Sequence, residues 1–376
     1  MERHAVLLEG KGDKMGSYEF NGDKLINIIH KQEHGKQRID MLNNAIAQAD
    51  QAKDNYWRMY MRFDYIAEQY FHGDAVKCIP VVTELENVFK ENPAAVERHE
   101  GDTLGKEAYI MAVILGVDTI ACLPQVTLEQ WDNMLDGLYS LVKQFGMAER
   151  SYYWQVFWRW MYIDWNKAEE YLQKAWNTEP DDRFDCETCE HSYAIRLYLN
   201  MGHKEKADTY ANKIENGILE YCEGAFSNMW FAYLEDALYR GDIDNAVPYA
   251  RKLYKECNND QGDLRYIGKV LQYFAYKNTT KGLNLFVKRL EWTSGIWDIR
   301  AKFAFYTGAW ALFRELSKKK EKVEMELPKE FGQWKEDGVY ETAVLADWFY
   351  KEAESIAESF DKRDGTGYYM ECLKRA

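Results

Sequence analysis

Three segments of the chain superpose without adjustment, and their shared register is the strongest constraint on how it can fold. Ala168, Ala207 and Ala246 stand 39 residues apart. Each is followed by a tyrosine three positions on (Tyr171, Tyr210, Tyr249), by Leu172, Ala211 or Ala250 at four, and by Ala175, Ile214 or Leu253 at seven. Such spacings trace one face of an α-helix, so each segment is the second helix of a pair, with its stripe turned inward. The small residue at the head of the stripe lets a neighbouring helix come close. Gly202 and Gly241 lie five positions before their alanines, where the chain must turn between antiparallel helices, and Gly73 holds the same place before Cys78.

The same stripe continues with less fidelity along the chain. Cys78 carries Val81, Val82 and Leu85, and further stripes run through Ile39, Leu42 and Ile46, through Trp131, Met134, Leu135 and Leu138, and through Leu283, Phe286, Val287 and Leu290. Slots at 39, 78, 131, 168, 207, 246 and 283 differ by 37 to 39 residues except for one gap of 53. That gap contains Asn92-Pro93 and a charged stretch, which predicts a loop inserted over 92–104. The first helix of each pair has its own register: Tyr152, His191 and Trp230 precede their alanines by sixteen, and Val156, Ile195 and Leu234 by twelve.

A helix pair with an early aromatic in its first helix (Trp230), a glycine turn, an alanine in its second (Ala246) and helix-end prolines (Pro93, Pro180) resembles the tetratricopeptide-repeat family. The first-helix glycine of that pattern is replaced by larger residues, and the period exceeds the family's roughly 34 residues. The resemblance implies an all-α, α-α superhelix: a solenoid of about seven antiparallel pairs over residues 23–320. Residues 1–22 are expected to be a flexible arm. Leu327-Pro328 and Gly332 then mark a linker within 321–376, which ends in a capping helix over Tyr340–Phe360 closed by the turn Asp361–Gly365.

Composition limits the function classes. With 47% apolar residues, 15% aromatic residues and six prolines, the chain has material for packing and little to interrupt helices. A formal charge of −14 opposes nucleic acid and anionic membranes, and the run Lys318-Lys319-Lys320 reads as a solvated helix end. Seven scattered cysteines form no disulfide framework, and no signal-like or membrane-spanning stretch is evident, so the expected location is the cytoplasm.

Motifs that could carry chemistry each lack a part. Cys186-Glu187-Thr188-Cys189, with His191 behind, could hold zinc or act in redox chemistry, but no second ligand pair and no βαβ context accompany it. The repeat register reads His191 as a packing residue and the cysteines as ordinary thiols. His30 and His34 read as one solvated helix face, since their order is not that of zinc hydrolases. Gly10–Ser17 lacks the lysine and the preceding strand of a phosphate loop. No catalytic residue, metal site or cofactor is therefore assigned.

The run Tyr152–Tyr162 is aromatic on every side, more than one core stripe needs, so its rings either line a groove or pack between helices. In a tetratricopeptide-like superhelix the first helix of each pair lines the inner surface, which selects positions fifteen, eleven and eight before each alanine. These are Tyr153, Phe157 and Trp160, then Ser192, Arg196 and Leu199, then Phe231, Glu235 and Leu238. Aromatic rings with an arginine suit a peptide or protein segment: the rings supply contact area and the guanidinium grips a carboxylate. The expectation is a binding scaffold for a protein or peptide. A peptide-responsive regulatory receptor and an enzyme on an α/α scaffold are the alternatives; the lysine and asparagine clamp of the family's chaperone-binding members is not apparent.

Overall fold

The computed structural model describes residues 20–97, 104–180, 185–257 and 260–376. Residues 1–19 of the expected N-terminal arm, with the glycine-rich stretch Gly10–Ser17, and part of the predicted insertion lie outside these residues; the arm's expected last residue, Gly22, instead opens a helix. Among the described residues the fold is all-α, seventeen helices with one small strand pair. The helices run as consecutive hairpins: α1 (Gly22–Ile29) with α2 (Lys36–Ala52), α3 (Asn55–His72) with α4 (Cys78–Glu91), and α5 (Leu104–Ala121) with α6 (Leu128–Gln144). Next come α7 (Arg150–Trp160) with α8 (Trp165–Trp176), α9 (Glu187–Asn200) with α10 (Lys204–Glu215), and α11 (Glu223–Tyr239) with α12 (Ile243–Glu256). The series ends with α13 (Leu264–Lys277) and α14 (Thr279–Arg289), then α15 (Ile299–Ser317) and α16 (Thr342–Asp364), and a last short helix α17 (Tyr368–Lys374). Strands β1 (Lys322–Glu324) and β2 (Val339–Glu341) pair antiparallel between α15 and α16, within the stretch read as a linker.

Local sequence sets these boundaries. Asp54, Asp164, Asp242 and Asp298 each accept hydrogen bonds from main-chain N–H groups in the first turn of the helix that follows, and Thr127 with Gln130 forms a reciprocal capping box before α6. Gly202 and Gly241 adopt φ of +77° and +70°, the left-handed turn that admits glycine readily. Gly73 also ends its helix but does so with a negative φ, −139°. The repeat alanines Ala168, Ala207 and Ala246 are fully buried, and the stripe residues behind them face the interior. The predicted capping helix corresponds to α16, closed by the left-handed Gly365; α17 was not foreseen.

Odd-numbered helices pack on one another as well as on their hairpin partners: α3 on α5, α9 on α11, α11 on α13 and α13 on α15. They form the inner layer. The tightest crossing is between α13 and α15, where Gly268 and Gly308 bring two backbones into contact; a Cβ built on Gly308 would fall 2.1 Å from the Gly268 carbonyl oxygen.

The last hairpin returns to the second and third. Trp297, just before α15, packs its ring 5.4 Å from that of Tyr70 on α3. Arg363, at the end of α16, donates from Nη1 to the carbonyls of Ala121 (3.0 Å) and Leu123 (3.2 Å) beyond α5, and its guanidinium lies over the Trp131 ring. The stack thereby closes around a central space. Because backbone cannot move aside as a side chain can, Gly308→Ala is expected to lose about 1–3 kcal/mol of stability, read as a lower midpoint in urea unfolding, while Gly137→Ala at an open helix position loses none.

Candidate functional site

The space enclosed by the inner layer is a cavity of about 470 Å³. Every inner helix from α3 to α15 contributes to its wall, as does α17. The volume is in the range of pockets that hold small ligands or a few peptide residues. Its lining joins aromatic rings (Tyr70, Trp158, Tyr162, Tyr193, Trp297) to charges of both signs: Asp118, Asp185, Glu235 and Asp298 against Arg196, Arg265, Lys269 and Arg300.

Three of the nine residues expected on the inner face, Arg196, Phe231 and Glu235, meet here. Arg196 donates from Nε to Glu235 (3.1 Å) and from Nη1 to the Tyr162 hydroxyl (3.1 Å), with its guanidinium over the Phe231 ring at 5.1 Å. Lys269 approaches the other Glu235 oxygen at 3.4 Å. Burial acts to raise the Glu235 pKa, but the Arg196 and Lys269 cations outweigh it and hold the carboxyl below its usual range. Arg265 donates to Asn228 Oδ1 and to the Tyr266 hydroxyl.

Tyr153, Phe157, Trp160 and Ser192 are not in the cavity wall. Phe157 is fully buried with Trp154 and Met161, a stripe at spacings of three and seven that fills the core against α8 and α9. Tyr153 bonds Glu149 and packs on Tyr171, Trp160 lies under Lys167 and Arg159, and Ser192 is buried with its hydroxyl on the Cys189 carbonyl. In a helix with large rings on all sides the core took the neighbouring stripe, leaving Trp158 and Tyr162 facing inward. Leu199 and Leu238 line a second cavity of about 400 Å³.

That second cavity exists because α17 crosses the interior. Gly365 (φ +67°) turns the chain back after α16, and the Asp361 carboxylate accepts the N–H groups of Tyr369 and Met370 (2.9 Å each), fixing the start of α17. Tyr368 and Tyr369 flank Tyr162 with ring centroids 5.5 and 5.9 Å away. At the far end the main-chain oxygen of Ala376 accepts from Tyr276 and from Arg314 Nη2. Tyr162, Glu235, Lys269, Tyr368 and Cys372 border both cavities, so α17 is the partition.

Two charges in the main cavity are poorly matched. Arg300 stacks over the Tyr162 ring at 4.4 Å, but its buried Nε and Nη2 have no hydrogen-bond partner among the described residues. Asp118 is pushed up to about 7, first by burial and then by the Asp185 carboxylate, itself raised by burial and bonded by the Tyr193 hydroxyl. Sequence reasoning passed over both. Asp118 was legible in retrospect, as the only charge between Tyr109 and Val126; Arg300 has no comparable signal.

The remaining motifs fall outside the cavity. His30 and His34 lie in the turn after α1 instead of on a helix face; each pairs with an α3 carboxylate, Asp64 at 2.6 Å and Glu68 at 2.9 Å. His191 bonds the Glu187 carbonyl through Nδ1 and packs between Trp176 and Tyr210. No described helix is long and apolar enough to cross a membrane.

The Asp118 environment gives a signed pH dependence. In the folded chain the carboxyl holds its proton to about 7, and in the unfolded chain it loses it near 3.8. Between those values the folded state binds more protons, so stability attributable to this group falls as pH rises. Asp118→Asn should therefore gain stability over the wild type across pH 4 to 7, with the difference levelling off above about 7 in urea titrations. Neither a protein-family model nor a curated protein matches this sequence.

Proposed function

We propose that the protein is a receptor for a short peptide or protein segment, held inside a closed ring of tetratricopeptide-like helix pairs. One observation carries the reading: the inner surface already accepts a helical peptide segment, the chain's own α17, through aromatic stacking and capped main-chain ends. The lining suits such a ligand. Rings give contact area at low entropic cost, mixed charges match a backbone with polar side chains, and the unpartnered Arg300 guanidinium is an anchor for a carboxylate. Location in the cytoplasm and a regulatory role, in which ligand binding changes how the ring closes, accord with this reading.

Panning a random short-peptide library against the full chain tests it. Enriched peptides should carry a carboxylate and aromatic residues, and Arg300→Met should weaken them about ten- to a hundredfold, the loss of a charge-assisted hydrogen-bond pair. The same substitution removes a buried cation without a hydrogen-bond partner, so melting should be unchanged or higher. Trp160→Ala, outside the cavity, should retain binding. Absence of any enrichment, or equal binding by the Arg300 variant, would sink the proposal.

A second reading, an enzyme on the helical ring, is favoured by Asp118, a carboxyl that stays protonated to about 7 beside Asp185, as a general acid requires. It demands that an enriched peptide be altered on incubation with the protein, seen by mass spectrometry, and left intact by Asp118→Asn.

A further inference from the structure

Away from the cavity lining, three cysteines distant in sequence come together. Cys186 is the cap residue of α9 and Cys189 lies in its first turn; Cys222 is the cap residue of α11. Because α9 and α11 pack side by side, their starts are adjacent. The three sulfurs lie within 4.8 Å of one another, with Cys189 Sγ and Cys222 Sγ 3.4 Å apart, and all three cysteines are free of disulfides. The ligand missing from the Cys-x-x-Cys pair is thus supplied 33 residues after Cys189 by the next hairpin.

We propose that Cys186, Cys189 and Cys222 bind a zinc-class, thiophilic metal ion through three thiolates, with a fourth position open on the exposed Cys186 side. Metal–sulfur bonds of about 2.3 Å at tetrahedral to trigonal angles place sulfurs roughly 3.8–4.0 Å apart, and the cluster spans that spacing. Cys186 is exposed and Cys222 half-buried, so rotation of these two side chains is the adjustment that binding calls for. The frame is fixed: the Thr188 hydroxyl donates to the Glu220 carbonyl at 2.6 Å, tying α9 to the segment that leads into Cys222, and Ser192 holds the Cys189 carbonyl at 2.6 Å.

Cys186 and Cys222 stand at the starts of α9 and α11, where main-chain N–H groups and the helix dipole favour negative charge. Each thiol that becomes a ligand releases its proton to solvent, so affinity rises with pH. His191 takes no part, since its ring is held by Glu187 and its aromatic neighbours. The site also touches the cavity: Asp185, one residue before Cys186, lies in the cavity wall and is bonded by Tyr193, so a metal on Cys186 would pin that part of the wall.

Full-length protein, reduced and stripped by a chelator, is titrated with cobalt(II) and then zinc(II). One equivalent of cobalt should produce thiolate-to-metal charge-transfer absorption with the visible bands of a tetrahedral centre, and zinc should displace it. Cys186→Ser and Cys222→Ser should lose the charge-transfer band at unchanged helicity, Cys222→His should keep a centre with an altered spectrum, and Cys257→Ser should be indistinguishable from wild type. Failure of the wild type to develop the band, its persistence in Cys222→Ser, or recovery of a Cys189–Cys222 disulfide from cells lysed with a thiol-blocking reagent would overturn the assignment.

Discussion

At the end of α5 the Thr119 and Ile120 carbonyls are capped by the N–H groups of Cys122 and Leu123, and the Ala121 carbonyl is left without a main-chain donor. Its partner is the guanidinium of Arg363, 242 residues further along the chain, which also donates to the Leu123 oxygen, already bonded by the Val126 N–H. Its charge is balanced by the adjacent Asp364 carboxylate at 2.7 Å, and its face rests on the Trp131 ring. Hairpins that contact only their neighbours would otherwise form an open stack, with the inner layer washed by solvent. Closure by this one arginine, reinforced by Trp297 against Tyr70, makes the inner surface a cavity and gives the charges on it a setting of low polarity.

That setting explains the contrast between the two groups of charges. Arg196, Glu235 and Lys269 satisfy one another and rigidify the wall across three helices. Arg300 and Asp118 lack such matching, and folding alone gives no reason to retain an arginine with unbonded nitrogens or a carboxyl that resists ionisation. Both stand in the wall of the same cavity.

The hairpins were legible because their stripes repeat with the helical period and small residues mark each slot; Ala168, Ala207 and Ala246 lie where the spacing puts them. The inward face was legible in part. In α11 the reading found Phe231 and Glu235, whereas in α7, aromatic all round, it chose Phe157 when the wall is made by Trp158. Contacts joining distant residues left no periodic trace: the Arg363 closure, the folding of α17 across the interior, and the meeting of Cys222 with Cys186 and Cys189. Each depends on how hairpins rotate relative to one another, which local spacing does not encode.

The glycine crossing of α13 and α15 bears on how such a ring moves. With backbone against backbone at Gly268 and Gly308, no side-chain layer exists there to shear, so the two helices travel as one rigid block. A ring with one welded joint must breathe elsewhere, and the joint made by Arg363 on two carbonyl oxygens is closed by polar contacts that water can replace. The seam between the third and last hairpins is thus held by exchangeable polar contacts, whereas the α13–α15 crossing is held by backbone.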